Sequence, residues 1–400
     1  MRVALVYRNF NMRGSLERDV VLLARELSRQ GVDVHVYSNP ATRGVVIPGV
    51  THHDVVPATV SRSRFGYPLE CGSFAVAATR AIRRDRSLYD IVDVHNIAAW
   101  EHDVVTVHGV TRAEQKLWPE HAGRAYRFGR ARAAVAPLVG PQLMLARTIE
   151  RLQFRPGRYR RVIAVTDEVR DDLTSVHNVP LDCIDVVPPV PDLSLFSGGN
   201  GYRTEIRSSL GLDERQPLLL FVGHNFERKG LGDVIASLEG LDPLAHLLVV
   251  GGGDRGRFEA GARACGVHER VHFIGATETP QFYFSAADVF VLPTRHEPWG
   301  ITLIEAMAAG VPVVTTAVAG AAREVGRAGA GIVLDDGSPG PLRDAIAGLL
   351  TDPERRRELG EHGRKMAGKH SPEGQAKAVF KVYERILDQR RERRLRRAPT

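Results

Sequence analysis

Cysteine is nearly missing from this chain of 400 residues: there are three, Cys71, Cys183 and Cys265, at scattered positions. That spacing offers neither a disulfide framework nor a zinc-ligand set, and it suits a reducing compartment such as the cytoplasm. Long apolar runs are missing too. No window approaches the roughly 18 uninterrupted apolar residues of a membrane-spanning helix. The longest candidate, Ala133–Ala146, is broken by Pro137, Gly140, Pro141 and Gln142. The opening MRVALVYRNF reaches Tyr7 and Arg8 after only five apolar residues, too few for a secretory leader. Asp-x-Asp occurs nowhere in the chain, so no carboxylate pair presents itself for a diphosphate-bound divalent cation. No metal ligand set and no organic cofactor is expected. No nucleic-acid-binding motif is found either, and nucleic acid is not expected as a partner.

What is present is an ordinary globular composition, 43% hydrophobic and 25% charged, in a chain whose length suits two domains of about 150–200 residues. The net charge of +7 is unevenly placed. Residues 112–161 hold 12 Arg and Lys against Glu114, Glu120 and Glu150, a local excess of +9. The run Arg390–Arg397 adds six arginines against Glu392. Such patches attract phosphates, and an anionic membrane surface or an anionic acceptor is the expected partner of the first.

The chain is organised around DVFVLPTRHEPWGITLIEAMAAGVPVVTTAVAG, residues Asp288–Gly320. It reads as strand, loop, helix, strand: an apolar run ending at Pro293, a polar loop broken by Pro298 and Gly300, a helix over Ile301–Ala309 stopped by Gly310, and a β-branched run over Val311–Val318. The helix is apolar almost all round. Its exceptions, Thr302 and Glu305, are three apart and share a face. A carboxylate there costs several kcal/mol unless it is paired or meets a polar ligand. The amides of Gly300, Ile301 and Thr302 stand at the helix start, where an anion is favoured. Glu297 and Glu305 bracket that start, which suggests a phosphorylated polyhydroxy ligand.

Upstream, Val3–Tyr7, a helix over Ser15–Gln30 and Val32–Tyr37 form a βαβ opening without the dinucleotide-binding glycine fingerprint. A helix over Gly72–Arg84 follows residues that are hard to read. Tyr89–His95 and Val104–His108 are strands ending in histidines, at the edge where open α/β sheets bind ligands. Thr166 is expected to cap a helix, and Cys183–Val187 to close the first domain. Pro188, Pro189 and Pro191, followed by Ser197–Gly201, mark a hinge. The second domain opens with a helix over Tyr202–Leu210 and the strand Leu218–Val222, followed by Gly223 and the basic pair Arg228 and Lys229, placed to neutralise a diphosphate. Strands over His246–Val250, Val271–Gly275 and Gly331–Leu334 follow, then helices over 341–351, 353–368 and Pro372–Gln389.

Glu297, Pro298, Trp299, Gly300, Glu305, Ala306, Met307, Ala308, Gly310, Pro312, Val313 and Val314 stand as in retaining family 4 glycosyltransferases, which the chain resembles over most of residues 2–390. RGSLERDV, VVPPV and FERKG also resemble segments of bacterial lipopolysaccharide-core glucosyltransferases. The resemblance implies an α/β protein of the GT-B fold, two Rossmann-like doubly wound domains facing a central cleft. Residues 1–190 would form the acceptor-side domain and 191–371 the nucleotide-sugar domain, with the helix 372–390 crossing back and 391–400 as a basic tail. It implies a donor-sugar contact at His108, in TVHG, and places His95 and Asn96 on the acceptor side. Gly14 and Ser15 stand where the family usually has a Gly-Gly pair at the donor phosphate, and Ser15 is a candidate cap for its helix. Arg228 and Lys229 would grip the donor diphosphate, Gly223 lies at their strand end, and Gly275 and Ala276 belong to the loop that reads the nucleobase. Glu305 would accept the ribose hydroxyls, and Glu297 with the amides near Trp299 and Gly300 would hold the sugar. The implied reaction moves a sugar from a nucleoside diphosphate to a glycan, lipid-linked or small-molecule acceptor in cell-envelope synthesis, in the cytoplasm or on the inner face of the membrane. A nucleotide-sugar epimerase of the same fold and a non-catalytic sugar-nucleotide-binding protein are the alternatives.

Overall fold

The computed structural model describes residues 1–58, 67–111, 147–196 and 201–395. They divide into two compact units, the second beginning at Val190 and the chain returning to the first at Pro372.

The first unit is a parallel sheet of seven strands: β1 Arg2–Val6, β2 Asp33–Ser38, β3 Val50–Asp54, β4 Ile91–His95, β5 Val104–Val107, β6 Arg161–Ala164 and β7 Ile184–Val186. Their order is β3-β2-β1-β4-β5-β6-β7. The central strands are buried along their whole length, which is why they read as unbroken apolar runs rather than as alternations. Its helices include α1 Ser15–Arg29, α2 Tyr67–Asp85 and α3 Asp167–His177. Strand β3, VTHHD, is one element that periodicity does not reveal. It is an edge strand, partly exposed and rich in histidine.

The second unit repeats the plan with six strands: β8 Leu218–Val222, β9 His246–Val250, β10 Val271–Gly275, β11 Val289–Leu292, β12 Val313–Thr316 and β13 Gly331–Leu334. Their order is β10-β9-β8-β11-β12-β13, all parallel. Its helices are α4 Arg203–Ser209, α5 Leu231–Ser237, α6 Arg255–Ala264, α7 Gln281–Ala286, α8 Ile301–Ala309, α9 Ala322–Ala328, α10 Pro339–Leu350 and α11 Pro353–Ala367. The last helix, α12 Pro372–Leu395, packs on the first unit, where Ala376, Val379, Val382, Tyr383 and Ile386 join the core of β1 and α1. It runs past the expected end at Gln389, and Arg390 is built into the first unit, donating to Asp90 O and pairing with Asp103.

Two corrections belong to local structure. Ser15 does not cap α1: Gly14 is the N-cap, with no side-chain bond, and Ser15 is the first helical residue. The Glu17 carboxylate folds back over Gly14, where an added Cβ would meet it, so an acid in the first turn complements the helix dipole in place of a hydroxyl. Arg161 belongs to no basic surface. It is buried on β6 and bonded to Asp185 at 2.5 Å. Thr166 caps α3 as expected, accepting from Val169 N at 3.1 Å. Residues 112–146 of the basic patch, with the apolar Ala133–Ala146 segment, lie outside the described residues, as do 197–200 of the expected hinge and 396–400 of the tail. No helix among the described residues is long and apolar enough to cross a membrane.

A candidate active site in two parts

In each sheet the strand order reverses between neighbours, β1 and β4 in the first and β8 and β11 in the second. The carboxyl ends of strands at such a switch point open a crevice that connections cannot cover. The candidate residues gather at these two points.

In the second unit the loop after β8 and the loop after β11 are tied together. Arg295 N donates to Arg228 O at 2.9 Å, and Arg295 Nη1 donates to Glu227 O at 2.7 Å. Thr294 Oγ1 donates to His296 O at 3.1 Å. Gly230 sits at φ +79° against Pro293 O, where a Cβ would collide with backbone, so glycine is required twice over. Gly223 is likewise without room: the Lys229 stem lies across it. The 297–300 segment is clamped on its other side by Gly320 N and Ala321 N, which donate to Glu297 O and Trp299 O at 2.9 and 2.8 Å.

This scaffold carries a charge cluster. Lys229 Nζ lies 2.7 Å from Glu297 Oε2, and Arg228 Nη1 lies 3.3 Å from the same oxygen while also donating to His296 O. Burial by itself would raise the Glu297 carboxyl, but the two cations overrule it and hold the group below the ordinary carboxylate range. Two cations against one carboxylate leave net positive charge beside the start of α8. Gly300, at φ +89°, is the α8 N-cap and Gly310, at φ +74°, its C-cap. One turn into α8, Glu305 is 1% exposed, and the buried Thr302 hydroxyl has no hydrogen-bond partner among the described residues. Trp299 packs inward against His370, with 5.9 Å between ring centroids. Gly275, at φ +90°, and the exposed Ala276 end β10, two strands from β8 on the side away from β11.

In the first unit the candidates also converge, but deeper than expected. His95 is fully buried, and its ring lies 5.8 Å from that of His108. Burial pushes His95 down from its usual pKa, and burial followed by the neighbouring His95 pushes His108 well down. Both are neutral at pH 7. Asn96, at φ +54°, accepts on its Oδ1 a hydrogen bond from His108 N at 3.0 Å, so the side chain expected at an acceptor is partly spent on positioning His108. A cavity of about 380 Å³ opens beside them, lined by Tyr7, Arg8, His95, Asn96, His108 and Gln153 among others. Arg8 there is neutralised by Glu70 at 3.0 Å.

Residue reading alone missed Asp19 on α1 and Gln375 on α12. Gln375 Nε2 donates to Asp19 Oδ1 at 2.7 Å, and Asp19 Oδ2 faces His108 Nε2 at 3.9 Å. No local signal finds this pair, because its members are 356 positions apart.

The chain is similar to known glycosyltransferases over most of its length. The profile described as Glycosyl transferases group 1 matches residues 202–366, and that described as Glycosyltransferase Family 4 matches residues 16–195. A D-inositol 3-phosphate glycosyltransferase of Xylanimonas cellulosilytica is 29% identical over 94% of this chain and 93% of its own length. The lipopolysaccharide glucosyltransferase WaaG of Escherichia coli is 34% identical over 54% of this chain and 60% of that protein. The crystal structure of WaaG, a glycosyltransferase involved in lipopolysaccharide biosynthesis, superposes with a TM-score of 0.75 at 25% identity, covering 96% of this chain and 98% of that one. Anabaena HepE, solved in complex with UDP-glucose, shares the fold at a TM-score of 0.69 and 14% identity, over 98% and 100% of the two chains. The chain belongs to the family 4 glycosyltransferases (glycosyl transferases group 1) and has their GT-B fold.

Proposed function

We propose that the protein is a retaining, metal-independent glycosyltransferase that moves a sugar from a nucleoside diphosphate to a hydroxyl of a glycan, lipid-linked or small-molecule acceptor. The observation that carries this reading is the pairing of Lys229 and Arg228 on the Glu297 carboxylate, 2.7 and 3.3 Å away, at the switch point of the second sheet. Charge grows on the diphosphate as the sugar–phosphate bond breaks, and fixed cations already oriented in a partly buried site stabilise it without reorganising. No cation bridge is then required. Glu305 accepts the ribose hydroxyls, the 275–276 loop meets the base, and Glu297 with the amides after Trp299 holds the sugar hydroxyls. His108, neutral and positioned by Asn96, is the first unit's candidate for a donor-sugar contact. The phosphate oxygen released with the leaving group takes the acceptor proton, so attack and departure share one face and the anomeric configuration is kept. The HepE complex with UDP-glucose and the WaaG glucosyltransferase support a uridine diphosphate hexose as the first donor to try.

The test is a screen of donor hydrolysis and transfer over several nucleotide sugars with and without EDTA, the anomeric product being read by NMR. Release of nucleotide that survives EDTA, with the α or β configuration preserved, is expected. Activity lost in chelator and restored by Mn²⁺ would overturn the metal independence. Interconversion of the sugar without acceptor would favour an epimerase, and release from no donor a binding protein.

A further inference from the structure

One cluster in the first unit has more chemistry than a sugar contact needs. Asp19 of α1, His95 at the end of β4 and His108 after β5 bring one ligand atom each within 4.8 Å of the others. Both ring nitrogens of His95 and Nε2 of His108 are buried with no hydrogen-bond partner among the described residues. Buried polar atoms are ordinarily bonded. Two adjacent imidazoles that turn unsatisfied nitrogens toward a shared carboxylate therefore form a donor set awaiting an acceptor of lone pairs. The far oxygen of Asp19 is held by Gln375 Nε2 at 2.7 Å, as the carboxylates of metal sites are held from behind.

We propose that Asp19, His95 and His108 bind a divalent transition cation of the zinc class, with the fourth position open toward the cavity that both histidines line. Two imidazoles and a carboxylate suit such an ion rather than Mg²⁺ or Ca²⁺, which take oxygen ligands. A tetrahedral cation with ligands at about 2.0–2.1 Å needs donor atoms roughly 3.3 Å apart. The 3.9 Å between His108 Nε2 and Asp19 Oδ2 closes to this by a small side-chain rotation. The cation has no part in the transfer chemistry. Resting on the reading above, its effect is to occupy His108 and withdraw it from the donor sugar, so zinc inhibits and EDTA leaves turnover unchanged or raises it.

Binding is tested on the full chain without any substrate, so the outcome is independent of the glycosyl-transfer reading. Zn²⁺ is titrated calorimetrically, and Co²⁺ by the visible absorption of a tetrahedral complex. One cation per chain is expected, with affinity reduced at least tenfold in His95→Gln and in Asp19→Asn. Gln375→Leu, which removes only the bond behind Asp19, should weaken binding by roughly 10- to 100-fold. It carries the test should the His95 variant fail to fold, as judged by circular dichroism. Absence of saturable binding, or stoichiometric binding that the three substitutions leave unchanged, would overturn the site.

Discussion

On the proposed reading Lys229 has two tasks, and they separate experimentally. As a cation beside the leaving diphosphate it should act in the transition state, so Lys229→Ala should lower kcat by on the order of 10²–10³-fold. Glu305→Gln alters the proposed ribose contact, made alike in ground and transition states, and should raise KM by the equivalent of roughly 1.5–3 kcal/mol with kcat little changed. Steady-state kinetics on one donor read both. Lys229 also supports Glu297. Removing it leaves a buried carboxylate with Arg228 as its remaining cation, at 3.3 Å, and unfolding in urea should show a loss of about 3–5 kcal/mol. The double variant Lys229→Met with Glu297→Gln should recover most of that stability and none of the activity. If the double variant is as unstable as the single one, Glu297 is not held in place by charge.

At the scale of elements, the placement of α8 rests on glycine. Gly360 of α11 lies against the Gly310 carbonyl, so close that a Cβ would collide with backbone, and an added Cβ at Gly363 would stand 3.2 Å from the Met307 Cα. Alanine is the better helix former by about 1 kcal/mol, but here the clash decides. Gly360→Ala should destabilise by about 1–3 kcal/mol and, by shifting α8, raise the donor KM, whereas Gly340→Ala meets nothing within 4 Å and should be neutral or slightly stabilising. Paired thermal melts and donor titrations decide between them. The return helix α12 is tied as firmly to the first unit, where the buried Tyr383 hydroxyl donates to Asp93 Oδ2 at 2.7 Å. Tyr383→Phe leaves Asp93 with the Thr106 hydroxyl at 3.0 Å but one bond short. A loss of about 1–3 kcal/mol is expected, read as a lower urea midpoint.

For the molecule as a whole, buried histidines set a lower pH limit. Burial, followed by the nearby Arg158, pushes His102 from the usual 6.5 down to about 3. Between these values the unfolded chain binds a proton that the folded chain refuses. The stability is therefore complete above about pH 6.5 and is lost as pH falls toward 3, at up to about 1.4 kcal/mol per pH unit from this group. His102→Leu should flatten the dependence by about one proton, measured as urea midpoints between pH 7.5 and 5. The proposal that the basic surface meets an anionic membrane belongs to the same scale. Arg151, Arg155, Arg158 and Arg160 are exposed on the described part of the patch, and each contributes about 1 kcal/mol near an anionic bilayer. Sedimentation with anionic but not neutral liposomes, reversed by high salt, is expected. Equal binding to both, or to neither, removes the membrane from the reading.

The sequence by itself determined many of the elements and the candidate residues of the second unit. Strands β8, β9, β10 and β13 and helix α8 lie where their apolar runs, Gly310 and the turn residues put them, because a strand buried on both faces and a helix stopped by glycine are local events. Arg228, Lys229, Glu297 and Glu305 could be named from two short stretches because the first two lie on the loop that follows β8 and the others on the loop and helix that follow β11. Topology decided the rest. The pairs Asp19–Gln375 and Asp93–Tyr383 join positions 356 and 290 apart, and no period in a sequence encodes which distant side chain will complete a buried carboxylate. The edge strand β3 was hidden for a related reason. VTHHD has no apolar face of its own, and only the neighbouring β2, which pairs His35 with Thr51 and Tyr37 with His53, makes it a strand.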